Sequence, residues 1–124
     1  MSIIKIISIV DDDASVRTAT EGLVRSLGFA AYGFASAEAF LASPLIDATA
    51  CLITDVQMPG MSGLELQAEL ASQGRDIPVI FITAFPEERL RRQARAGGAI
   101  DFLAKPFDGS TMIRCIETAV GQSS

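Results

Sequence analysis

The chain has 124 residues, 49% of them apolar, and fifteen Asp and Glu against ten Lys and Arg give a net charge of -5. That balance argues against direct nucleic-acid binding, which needs clustered cations to displace counterions, and no apolar run is long enough to span a bilayer. With no His, the chain supplies no histidine catalyst, histidine metal ligand or phosphohistidine of its own.

Ile3 to Val10 reads as a first strand buried on both faces, and it stops at Asp11-Asp12-Asp13. Asp13 is placed to cap a helix with Val16, Thr20, Leu23 and Leu27 inward and Arg17, Glu21 and Arg25 on another face. Gly28 ends that helix. Phe29 to Phe34 is a short second strand, and Ser36 caps a short helix with Ala39-Phe40-Leu41 that ends near Pro44. Ala50 to Thr54 is the third strand, opening at Asp55 into a loop that Met58-Pro59-Gly60 keeps from continuing as strand or helix. Leu64, Leu66 and Leu70 mark a third helix ending at Gly74. Pro78 to Ile82 is the fourth strand, with Thr83 at its end. Pro86 is expected to open a fourth helix, with Leu90 and Ala94 inward and Arg89, Arg91, Arg92 and Arg95 outward, until Gly97-Gly98 ends it. Ala99 to Leu103 is a fifth strand ending at Lys105-Pro106. A last helix follows Gly109-Ser110, with Ile113, Ile116 and Val120 inward.

Five strands alternating with helices, without an internal repeat or linker, indicate one doubly wound α/β domain with right-handed crossovers. Cys51 and Cys115 lie far apart in apolar contexts and are expected as buried free thiols of a reducing, cytoplasmic compartment. The start of the chain, with Lys5 among isoleucines, shows no cleavage-site pattern of a signal peptide.

In a parallel sheet all strands end at one edge, where open α/β sheets bind ligands. That edge gathers Asp11 and Asp12, Asp55, Thr83 and Lys105. Two carboxylates about 5 Å apart repel by roughly 3 kcal/mol at an effective dielectric near 20. Three of them with one Lys should raise a pKa or recruit a hard dication, and Mg²⁺ suits such oxygens. A carboxylate is also a competent nucleophile toward phosphorus.

These residues resemble the receiver domain of bacterial two-component response regulators, nearest the FixJ type. The resemblance spans essentially the whole chain and rests on Val10-Asp11-Asp12-Asp13, Asp55-Val56-Gln57-Met58-Pro59-Gly60-Met61-Ser62-Gly63, Ile82-Thr83-Ala84 and Lys105-Pro106-Phe107. It implies a flavodoxin-like three-layer sandwich with a five-stranded parallel sheet in the order 2-1-3-4-5. It implies Asp55 as phosphoacceptor, Asp11, Asp12, Asp55 and the Gln57 backbone carbonyl around Mg²⁺, and Lys105 on the phosphoryl group. Thr83 and Phe102 would be the switch pair, Phe102 turning inward as Thr83 moves. The expected donor is a sensor histidine kinase, and the expected output is control of an unknown downstream partner or a phosphorylation-dependent homodimer. The altered surface would be the fourth helix, fifth strand and fifth helix, with Arg89, Arg92 and Met112. Residues 1–124 would form the receiver alone, without the helix-turn-helix output domain usual in the FixJ type. Such a domain is a switch, catalysing only its own phosphorylation and dephosphorylation.

The chain departs from common family patterns at Gln57, which faces the dephosphorylating water, at Phe85-Pro86, and at Gly97-Gly98, a doubled glycine expected to loosen the end of the fourth helix. A competing reading is a phosphatase of the haloacid dehalogenase type, using Asp11 and Asp13 with Thr83 and Lys105. No late acidic pair follows Lys105 to complete that set.

Overall fold

The apolar runs rich in Ile and Val become strands, and the helical spacings between them become helices. The computed structural model describes residues 4–122. In chain order they form β1 (Ile6–Val10), α1 (Ala14–Ser26), β2 (Ala30–Phe34), α2 (Ala37–Leu41), β3 (Thr49–Asp55), α3 (Gly63–Ser72), β4 (Val79–Thr83), α4 (Glu88–Ala96), β5 (Asp101–Ala104) and α5 (Gly109–Gln122). A 3-10 turn at Ile46–Ala48, unforeseen in the sequence, leads into β3. Among the described residues no helix is long and apolar enough to cross a membrane.

The five strands are parallel in the order β2-β1-β3-β4-β5. This is the flavodoxin-like arrangement the motifs implied. Because side chains alternate along a strand, each central strand feeds two cores. Leu52, Val79 and Phe81 point to one face and pack with Phe40, Leu66, Leu70 and Leu90, from α2, α3 and α4. Ile7, Ile9, Ile53, Ile80 and Ile82 point to the other and pack with Val24, Met112 and Ile116, from α1 and α5. Cys51 and Cys115 are buried in this second core as free thiols. Burial pushes the Cys51 thiol up to about 12 and the Cys115 thiol up to about 11.

Several boundaries move. The expected start of the first strand at Ile3 lies outside the described residues, and Ile4 and Lys5 precede β1. β3 runs one residue further at each end than expected, so Asp55 is its last residue. α4 begins at Glu88 rather than Pro86, because Glu87 is still extended and takes the cap position. Ala99 does not start β5: its N–H donates to the Ala94 carbonyl (3.1 Å) and closes the end of α4. β5 therefore begins at Asp101. Thr20 and Val24 are the buried positions of α1, with Val16, Leu23 and Leu27 half-buried beside them. In α5 the deepest positions are Met112, Ile116 and Ala119. Met112 is fully buried and belongs to the core, not to an exposed output face.

Gly97-Gly98 tightens the end of α4 instead of loosening it. Gly98 takes a φ of 92°, open to glycine and costly for other residues. Gly97 has an ordinary φ, but a Cβ there would sit 2.5 Å from Gln67 Oε1. Gln67, on α3, uses the space to donate from Nε2 to the Ala94 carbonyl at 3.1 Å.

Candidate functional site

Strand register brings the site together. Val10 pairs with Thr54, Asp55 with Ile82, and Thr83 with Ala104. Asp11, Asp55, Thr83 and Lys105 therefore stand in a row across one sheet edge, although 94 positions separate the first from the last (105 − 11). Asp11 is completely buried, Asp55 is 6% exposed, Thr83 is buried and Asp12 is exposed.

Lys105 Nζ lies 2.9 Å from Asp11 Oδ2 and 3.2 Å from Asp55 Oδ2. Burial acts to lower the Lys105 pKa, but the two carboxylates outweigh it and hold the ammonium above its ordinary value. Burial pushes the Asp55 carboxyl above the usual range, against the opposing pull of Lys105 and with the help of the Asp11 charge. One lysine thus does not neutralise the cluster.

Backbone groups fix the acids. Asp11 Oδ1 accepts from the Asp13 N–H (2.9 Å), while Asp13 caps α1 by accepting from the Ser15 and Val16 N–H groups (2.9 and 3.2 Å). Asp55 Oδ1 accepts from the Gln57 N–H at 3.4 Å. Asp11 Oδ2 is buried, and the Lys105 ammonium 2.9 Å away is its charge partner. Carboxylate oxygens of Asp11, Asp12 and Asp55 all lie within 4.8 Å of one another. Three carboxylates gathered this closely are a donor set that fits a hard metal ion.

Other residues hold this edge and gave no signal in the sequence, because each acts on a backbone group brought near only by folding. Arg17 Nη1 donates to the Asp11 carbonyl at 2.7 Å. Glu38, on α2, accepts from the Met61 N–H at 3.0 Å and pins the loop after Asp55; that bond holds its carboxyl below the usual range. Gly63 opens α3 so close to β3 that a Cβ would overlap the Asp55 carbonyl. Ser62 and Glu65 form a capping box with both of its bonds made (3.1 and 2.8 Å), a local Ser-x-x-Glu signal that the reading of the sequence passed over.

Thr83 Oγ1 accepts from the Phe85 N–H at 3.0 Å, so the hydroxyl proton remains available. Phe102 is only 4% exposed, with its ring centroid 6.3 Å from that of Phe81. The ring expected to turn inward on activation is thus already inward. Arg91, expected to face outward, is half-buried: Nη1 donates to the Phe102 carbonyl (3.2 Å) and Cζ lies 5.1 Å from the ring centroid.

The family model for the response regulator receiver domain matches residues 7–117. The chain belongs to that family. The receiver is 41% identical over 114 residues to nodulation protein W of Bradyrhizobium diazoefficiens, covering 92% of this chain and 50% of that protein. It is 45% identical over 115 residues to response regulator protein TmoT of Ectopseudomonas mendocina, covering 93% and 52%. The receiver thus spans about half the length of the curated relatives it matches. Among solved structures it resembles the crystal structure of FixJ-N, at 38% identity and a TM-score of 0.86 over 98% of this chain and 96% of that one. Receiver domains of this family are signalling switches that interact with histidine kinases and output partners. None of these comparisons supports the phosphatase reading, and Asp13 spends its carboxylate on the cap of α1.

Proposed function

We propose that this receiver accepts a phosphoryl group on Asp55 from the phosphohistidine of a sensor histidine kinase, with Mg²⁺ as cofactor, in the cytoplasm. The observation that carries the reading is the Lys105 ammonium between Asp11 and Asp55, beside three carboxylates whose oxygens lie within 4.8 Å of one another. Asp11, Asp12, Asp55 and the Gln57 backbone carbonyl would hold the metal. When bound, Mg²⁺ would supply positive charge to the phosphoryl oxygens.

An oxygen of Asp55 bonds to phosphorus as the P–N bond breaks, and that bond's electron pair leaves with the imidazole. Asp55 needs no general base, because its carboxylate already carries the attacking lone pair. Lys105 follows the charge onto a phosphoryl oxygen, and the free Thr83 hydroxyl proton is donated to another. Thr83 and Phe102 act as the switch pair, and the chemistry extends only to the chain's own phosphorylation and dephosphorylation. Residues 1–124 act as the receiver unit, signalling through a downstream partner or a phosphorylation-dependent homodimer.

Intact mass after incubation with Mg²⁺ and acetyl phosphate tests the reading. The expected result is one added phosphoryl group, absent in Asp55→Asn. No adduct on the wild type, or an undiminished one on Asp55→Asn, overturns it.

A further inference from the structure

We propose that Arg91 is a positioning residue, a latch that holds the Phe102 ring in its buried place and ties the ring to the movement of α4. Its guanidinium grips the same residue twice, at the Phe102 carbonyl (3.2 Å) and over the ring face (5.1 Å). Glu88, one turn earlier, lies 3.7 Å from Arg91 Nε and steadies the guanidinium. A half-buried cation over an aromatic face shifts a two-state population by about three- to tenfold.

The two ends of α4 are held differently. Its C-terminal end is tied to α3 by Gln67 on the Ala94 carbonyl, with Gly97 in close approach. At its N-terminal end Glu87 makes no side-chain cap, and residues 84–89 are all exposed. The bond from the Phe85 N–H to Thr83 Oγ1 ties this loose end to the site. If the Thr83 side chain swings toward a phosphoryl oxygen, Oγ1 leaves the Phe85 N–H and the loop leading into α4 is released. Arg91 lies in the first turn of the freed end, so the ring it grips moves with it. A cavity of about 40 Å³, lined by Arg91, Arg95, Ala99, Ile100, Asp101 and Phe102, borders the ring. The signalling role of the latch rests on the phosphoacceptor reading above; the grip on the ring does not.

NMR of the full chain with ¹³C-labelled Phe rings tests both parts. Without any phosphoryl mimic, Arg91→Ala should raise the population of the outward Phe102 ring about three- to tenfold. Arg91→Lys should give an intermediate value, because an ammonium keeps the charge but loses the planar fork. A Phe102 ring unchanged in both variants overturns the latch. With Mg²⁺ and beryllofluoride, wild-type signals from the Asp55 pocket, α4 and Phe102 should move together. In Arg91→Ala the pocket should still respond, while Phe102 no longer tracks α4. If Phe102 still tracks α4 in Arg91→Ala, the coupling is wrong. If the wild-type pocket does not respond at all, the phosphoacceptor reading fails, and the ring populations without mimic still decide the grip. Core amide shifts of Ile9 and Ile53 serve as the folding check, and Arg91→Lys decides the grip if Arg91→Ala is unfolded.

Discussion

Burial places a cost on the ionised form of Asp55. Burial raises its folded pKa above the ordinary value. The folded state therefore keeps the proton more readily than the unfolded state. Stability falls as pH rises from about 4 through that raised value, and at neutral pH the full cost of the ionised group is present. Asp55→Asn removes this cost, so the metal-free variant should melt higher than wild type at pH 7, with the difference closing below about pH 4. A variant that melts lower at pH 7 would show that Lys105 more than compensates burial. Lys105 has the opposite profile: its raised pKa contributes stability that is lost only as pH climbs through its folded value, above about 10.4. Gly63 is a second sensitive residue, because its missing Cβ lets α3 touch the Asp55 carbonyl. Gly63→Ala should cost about 1–3 kcal/mol in urea unfolding through overpacking against rigid backbone. It should also slow phosphorylation, since the displaced atom belongs to the proposed acceptor.

At the scale of elements, α4 is the helix whose attachments differ most from a reading of its sequence. Four of its nine residues are Arg, which suggests a uniformly solvated face. Arg91 leaves that face for Phe102, and Gln67 reaches across from α3 to its last turn. Gly97→Ala pushes on the Gln67 side chain rather than on backbone. The expected loss is therefore one hydrogen bond, about 0.5–1.5 kcal/mol, seen as a lower urea midpoint. Gln67→Ala should remove the same bond, and the double variant should lose less than the sum of the two single losses. Additive losses would mean that Gly97 and Gln67 serve separate purposes.

At the scale of the whole molecule, like charges converge from two segments, Asp11-Asp12 and Asp55, and only the folded chain brings them together. A ligand that binds the folded state alone stabilises it by mass action, by about 2.7 kcal/mol at a hundred times its dissociation constant. Saturating Mg²⁺ should accordingly raise the melting temperature, and Asp12→Ala should largely abolish the rise. A melt unmoved by millimolar Mg²⁺ would count against the metal site. Arg89 and Arg92 remain exposed on α4, whereas Met112 is closed within the core. A second chain would thus be met by the arginines. Light scattering with Mg²⁺ and beryllofluoride should show association, weakened when Arg89 and Arg92 are both changed to Ala. A mass that stays monomeric would leave a separate partner as the output.

Local periodicity and composition determined the strand–helix alternation, the burial of Cys51 and Cys115, and the Asp13 cap, because each depends on neighbours in the chain. They also placed Asp11, Asp55, Thr83 and Lys105 at strand ends, since turn residues mark where strands stop. Only the tertiary structure decided the rest. Strand register set the Lys105 distances to two carboxylates 94 and 50 positions away. Packing between α3 and α4 decided why Gly97 has no Cβ, and packing of α4 on β5 turned Arg91 and Phe102 inward. The same chain positions could have faced solvent as readily. Long-range contacts of flexible side chains leave no local pattern, because their partners are chosen by geometry that no short window of sequence contains.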